Sequence, residues 1–154
     1  MEQGMEYRLT DGNHKDFIIL VDLLDKYLNH IVGGDKQREQ YNQYNSLEDI
    51  HDVILLYDND EPIGCAGFKH YAEGAAEVKR VFLREEYRGR GLAKDLMSRL
   101  EIRAKELGYR RLILETGRIL QGAFGLYQRL GYGIIENYGP YCCMCESVCM
   151  GKEL

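Results

Sequence analysis

Apolar positions recur along this chain with two different periods, and each change of period marks a new element. Between residues 15 and 31, Phe17, Leu20, Val21, Leu24, Tyr27, Leu28 and Ile31 return every three or four positions, the spacing of an amphipathic helix. The same spacing reappears in Leu92, Leu96, Leu100, Ala104 and Leu107, and again in Leu120, Ala123, Phe124, Tyr127 and Leu130. Elsewhere the runs are short. Residues 53–57 and 112–114 are continuously apolar, as expected of strands covered on both faces. Residues 7–9, 62–71, 75–83, 132–137 and 147–150 read as further strands. Turn residues separate them: Asp11-Gly12-Asn13, Gly33-Gly34, Asp58-Asn59-Asp60, Glu73-Gly74, Gly108 and Gly131. Asn13 is expected to cap the first helix. Residues 35–52, polar but bearing Tyr41 and Tyr44, predict a short helix and a loop. The order is βααβββαβαββ, an α/β chain with no internal repeat or linker, which predicts one domain over residues 1–154.

Where the strand at 75–83 gives way to the helix after Gly91, the sequence runs Arg88-Gly89-Arg90-Gly91-Leu92-Ala93. Glycine lets backbone approach an oxyanion closely, and first-turn N–H groups of a helix have no partner inside it. The macrodipole adds about half a positive charge at that end. Arg88 and Arg90 bring forked donors suited to phosphate. The loop reads as a pyrophosphate cradle. It is not a P-loop, because Gly91 is followed by Leu92-Ala93-Lys94 and not by Lys-Ser/Thr. Gly89-x-Gly91, with Glu115 about 20 residues on, approaches a dinucleotide fingerprint, but Lys94 stands where the third glycine belongs.

Residues 77–132 resemble the GNAT family of acetyl-CoA-dependent N-acetyltransferases. The likeness starts at Glu77-Val78-Lys79-Arg80-Val81-Phe82-Leu83 and is strongest over Tyr87-Arg88-Gly89-Arg90-Gly91-Leu92-Ala93. It resumes at Gly125-Leu126-Tyr127-Gln128-Arg129-Leu130-Gly131-Tyr132. The family loop Arg/Gln-x-x-Gly-x-Gly/Ala is met by Arg88, Gly91 and Ala93. The motif Leu-Tyr-x-x-x-Gly-Phe/Tyr is met by Leu126, Tyr127, Gly131 and Tyr132. The resemblance implies a single-domain mixed sheet, mostly antiparallel, with a splayed parallel pair and flanking helices. It also implies acetyl transfer from acetyl-CoA, the co-substrate, to an amine of a small molecule or peptide by direct attack. A non-catalytic acyl-CoA sensor, or another acyl-CoA or nucleotide-dependent transferase, stays open as an alternative.

Roles follow residue by residue from that likeness. Residues 88–94 (Arg88, Gly89, Arg90, Gly91, Leu92, Ala93 and Lys94) would hold the pyrophosphate, and backbone donors of Val81, Phe82 and Leu83 would face the thioester oxygen. Tyr127 is the candidate proton donor to the departing thiolate; a phenol near pKa 10 is protonated at neutral pH. Without the motif, a tyrosine on an apolar helix face would be read as core. Glu77 is the candidate base, against the plainer reading of a strand glutamate paired with Lys79 or Arg80. The family often has an asparagine seven residues before the helix tyrosine; here that register is Leu120, and Gln121 is the candidate substitute.

Composition narrows the partners. A net charge of −5 and the lack of a long basic run argue against nucleic acid and suit a cationic acceptor. Glu48, Asp49 and Asp52 would add to that attraction if they faced the acceptor pocket, which residues 27–52 and 138–145 are expected to shape. The longest apolar runs are far below the ~20 residues a membrane span needs, and no secretory leader is apparent, so the expectation is no membrane partner and a cytoplasmic location. A homodimer is left open. Five cysteines, four of them at Cys142, Cys143, Cys145 and Cys149, lack paired zinc spacing and read as reduced thiols, with no metal expected. Of four histidines, only His70 is expected near the acceptor cleft.

Overall fold

The computed structural model describes residues 4–32, 47, 49–118 and 120–154. They form one seven-stranded sheet with helices on both faces. In chain order the elements are β1 (Met5–Thr10), α1 (Lys15–Val32), β2 (Asp52–Asp58), β3 (Glu61–Ala72), β4 (Ala75–Leu83), α2 (Leu92–Glu106), β5 (Arg111–Gly117), α3 (Gln121–Arg129), β6 (Gly133–Ile135) and β7 (Ser147–Glu153). Strand order across the sheet is β1-β2-β3-β4-β5-β7-β6. All neighbours are antiparallel except β4 and β5. The expected mixed sheet with one parallel pair is what forms. The short helix expected in residues 35–52, and the Gly33-Gly34 stop, fall largely outside the described residues.

Two cores explain the apolar patterns. In β2, Ile54 and Leu56 face one side with Leu96, Met97, Leu100 and Ala104 of α2 and Tyr127 of α3. Val53, Leu55 and Tyr57 face the other with Phe17, Leu20, Val21 and Leu24 of α1. Period two with both faces covered yields a strand with no polar gap, which is why residues 53–57 are uniformly apolar. Among the described residues no helix is long and apolar enough to cross a membrane.

Two local features depart from expectation. Asn13 does not cap α1: its own N–H donates to Asp11 Oδ1 at 2.9 Å, and His14 Nδ1 accepts the Asp16 N–H at 3.0 Å. The imidazole takes the capping position because His14 directly precedes the first helical residue, Lys15, and its ring reaches an N–H of the first turn. The second feature is a bulge in β4. Gly67 pairs with Lys79 and Cys65 with Phe82, so Arg80 and Val81 stand opposite the single residue Ala66. Arg80 adopts φ 60°, a left-handed conformation that costs a non-glycine residue about 1–2 kcal/mol. Two contacts offset it: its guanidinium pairs with Asp25 of α1, and its carbonyl accepts the Cys65 thiol at 3.3 Å. Burial pushes that thiol up to about 12, so it stays a neutral donor.

Leu100 is fully buried between α2 and the sheet. Leu100→Ala is expected to lower unfolding free energy by about 2–5 kcal/mol in denaturant titration. A loss under about 1 kcal/mol would mean that α2 is not seated as described.

Candidate active site

The parallel pairing of β4 and β5 is short. It joins Ala75, Ala76 and Glu77 to Arg111, Leu112 and Ile113 and then stops, although both strands continue. Beyond that point β4 stays with β3, up to Gly64 opposite Leu83, and β5 stays with β7, down to Gly117 opposite Ser147. The two strands therefore part and leave a wedge in the sheet. A cavity of about 1340 Å³ occupies it, walled by Val78 to Leu83 of β4 on one side and Leu114 to Gly117 of β5 on the other.

At the α2 end the wedge meets the glycine loop. Gly89 and Gly91 have φ 80° and 77°, and apart from the adjoining chain no described atom lies within 4 Å of where a Cβ would sit at either. No side chain caps α2. The first-turn N–H groups of Leu92, Ala93 and Lys94 are thus available to an anion, and all three residues line the cavity. Arg88 also lines it. Its Nε donates to the Leu83 carbonyl at 3.0 Å, and its guanidinium lies 4.9 Å from the Tyr27 ring centre and 5.8 Å from that of Phe82. Arg90, expected beside it, turns away to the Tyr87 ring and the Glu86 carbonyl.

Helix α3 supplies the opposite wall through Gln121, Ala123, Leu126 and Tyr127, with Leu120 just before it. Tyr127 is 8% exposed, and its ring meets Tyr132 edge-on at 5.9 Å. Among the described residues its hydroxyl makes no side-chain hydrogen bond, and burial, then the Glu115 carboxylate, raise its pKa above the ordinary phenol value. Tyr127 is accordingly a neutral hydroxyl in the cavity wall.

Glu77 is placed differently from its neighbours. It is 4% exposed and does not line the cavity; it accepts the Tyr138 hydroxyl at 2.7 Å and lies 3.5 Å from the Lys79 ammonium. The Tyr138 hydroxyl is itself held neutral by burial and by Glu77. Lys79 does line the cavity, and donates to the Tyr141 hydroxyl at 2.9 Å. Burial lowers its pKa, opposed by Glu77. Asn137 orders the loop that carries both tyrosines, its Nδ2 donating to the carbonyls of Tyr141, Met144 and Ser147 at 3.1, 3.3 and 3.2 Å.

Other expectations are corrected. Asp52 does not border the cavity: it is buried against α2, accepting Arg103 Nε at 2.6 Å with His51 Nδ1 at 2.7 Å. Asp49 is exposed, and Glu48 lies outside the described residues. His70 sits 3.0 Å from the Tyr109 hydroxyl, away from the cleft, because β3 has passed the wedge by then. Of the segment 138–145, no residue lines the cavity; Tyr138 and Tyr141 act from behind. Five charged residues of the cavity wall were not expected there from the sequence: Lys79, Arg80, Arg118, Arg129 and Glu146. Glu115, considered only for a ribose, also lines the wedge. The signal was a glutamate directly after a continuously apolar strand, a charge too near the core to be incidental.

Comparison with known proteins agrees with this geometry. The family model described as "Acetyltransferase (GNAT) family" matches residues 18–132. The chain is 28% identical over 123 residues to an IAA acetyltransferase of Azospirillum brasilense, covering 79% of this chain and 80% of the relative. Among solved structures, PaiA N-acetyltransferase from Thermoplasma acidophilum in complex with coenzyme A superposes with TM-score 0.74 at 20% identity, covering all of both chains. A GNAT family acetyltransferase from Elizabethkingia anophelis with acetyl-CoA bound gives TM-score 0.72 at 20% identity, covering 99% of this chain and 100% of that one. A strand pair that parts, an uncapped glycine-led helix and a tyrosine facing the gap thus occur in a chain whose sequence matches that family over most of its length: it belongs to the GNAT family of acetyltransferases.

Proposed function

We propose that this chain moves the acetyl group of acetyl-CoA directly to the amine of a small molecule or peptide. The observation that carries the reading is the wedge, which runs unbroken from the glycine loop to Tyr127. The pyrophosphate would lie on the N–H groups that open α2, with Arg88 beside it. The pantetheine arm would run along the unpaired edge of β4, whose N–H groups at Val81 to Leu83 can receive the thioester oxygen as it gains charge. Gln121, which lines the cavity at the start of α3, would offer its amide to that arm. The amine attacks the acetyl carbon, the C–S bond breaks as the tetrahedral oxyanion collapses, and the thiolate takes a proton from Tyr127.

The amine must also lose a proton. Glu77 is the carboxylate expected from the sequence, but its route to the cavity passes through Lys79. Glu115 lines the cavity itself and lies close enough to Tyr127 to influence it. We assign first contact with the amine to Glu115, with Glu77 holding the Lys79 ammonium in place at the cavity wall.

Three outcomes test this reading. Gly91→Ala should weaken acetyl-CoA binding by about tenfold or more in calorimetry, ~1.4 kcal/mol, while costing the fold about 1–2 kcal/mol for a left-handed alanine. Normal affinity would move the cradle elsewhere. Tyr127→Phe should keep that affinity and lower kcat about 10²-fold; unchanged turnover returns Tyr127 to the core. Because its pKa is raised, the neutral acid persists to higher pH than an ordinary phenol, so Tyr127 ionisation should cause no fall in kcat below about pH 10.

The base is tested by pH–rate profiles. Turnover should rise with pH as free amine accumulates, and Glu115→Gln should flatten that limb or move it upward. If Glu77→Gln does so and Glu115→Gln does not, Glu77 is the base. Binding of acetyl-CoA without turnover of any amine would favour the sensor.

A further inference from the structure

Amine acetylation by itself requires no cation in the acceptor end of the wedge, yet one is built there. Lys79 of β4 and Glu115 of β5 each stand two residues past the last paired positions, Glu77 and Ile113. They face each other across the parting strands, both line the cavity, and their charges interact. Paired strands lie about 4.8 Å apart, and at these two positions β4 and β5 are no longer paired, so both side chains border the open wedge. Lys79 is not a solvent-side lysine folded over by chance. It is 8% exposed, its Nζ donates to the Tyr141 hydroxyl at 2.9 Å, and it lies 3.5 Å from Glu77, which Tyr138 holds at 2.7 Å. Asn137 fixes the loop that delivers both tyrosines. A plain ion pair with Glu77 would explain a buried ammonium, but not its presence in the cavity wall opposite a second carboxylate.

We propose that this pair clamps a zwitterion: the acetyl acceptor is a small α- or β-amino carboxylate, its ammonium against Glu115 and its carboxylate against Lys79. The proposal rests on the acetyltransferase reading above. It accounts for the two signs at the cavity wall: Glu77 and Tyr141 hold the Lys79 ammonium in place from behind, and the cavity brings it and Glu115 to one surface, where a ligand carrying both charges would be matched at both ends. It also replaces the broader expectation of a cationic acceptor, which had relied partly on Asp52.

The test compares matched acceptors with acetyl-CoA as donor, following thiol release. For each common amino acid the panel holds the free acid, its amide and its decarboxylated amine. The phenylalanine set is the first choice, because Leu24 and Leu28 give the same cavity an apolar wall. Wild type should favour an amino acid over its decarboxylated amine by about tenfold or more in kcat/KM, ~1.4 kcal/mol. Lys79→Gln should erase that preference, mainly by raising KM for the acid, and Lys79→Arg should restore part of it. Thermal unfolding and acetyl-CoA calorimetry on each variant separate this from misfolding or loss of the donor. Equal or better turnover of the amines or amides, or a preference that survives in Lys79→Gln, overturns the zwitterion and leaves the acetyltransferase standing. Acetyl-CoA binding without turnover of any panel member also overturns it. Failure to bind acetyl-CoA at all removes the acetyltransferase reading instead.

Discussion

Three residue pairs tie β4 to β5, and the cavity in the sheet depends on there being no fourth. A parallel pair normally continues as long as both strands do, because every unpaired N–H and C=O in a sheet interior is costly. Here each strand keeps a complete partner on its far side, β3 for one and β7 for the other, so the sheet survives while the middle opens. The opened edges line the cavity. The edges that β4 and β5 no longer share are where an extended ligand could pair, which a closed sheet would not offer.

The bulge at Arg80 and Val81 is part of the same device. An extra residue in β4 bends the strand and strengthens its twist just where it must leave β5. Arg80 in a left-handed conformation would be a liability on an exposed edge. It is held by Asp25 from α1 and by the Cys65 thiol from β3, so the first helix and the meander jointly secure the opening. Helix α1 then has two tasks along one face. Phe17, Leu20 and Val21 fill the core, while Leu24, Tyr27, Leu28 and Ile31 reach past the sheet to the cavity.

Charge is treated in the same graded way. Asp52, Arg103 and His51 satisfy one another on the α2 face and hold structure only. Glu77, Lys79, Tyr138 and Tyr141 form a second network whose innermost member is a buried carboxylate and whose outermost is an ammonium on the cavity. That gradation, from sealed to facing a cavity, separates the two networks more clearly than the number of charges does.

Local physics made much of this legible in the chain itself. Periodicity places α1, α2 and α3, since an amphipathic stripe declares which face must be buried. The glycines at 89 and 91 announce the turn at the head of α2, because their φ values of 80° and 77° are ones that side-chain-bearing residues avoid. Tyr127 stands out only through its motif, as nothing in helical spacing separates a tyrosine that lines a cavity from one in the core. What the chain could not declare was set by partners distant in sequence. Glu77 and Glu115 are both strand glutamates; which one meets the cavity depends on where β4 and β5 part, and that is decided by β3 and β7. Arg88 and Arg90 sit two residues apart in the same loop, yet one meets Tyr27 and Leu83 and the other Tyr87, because α1 packs over only one of them. Sequence determines which residues can carry the chemistry, since that is a property of side chains and local backbone. Tertiary structure alone decides which of them share a space, since only packing between distant segments brings them face to face.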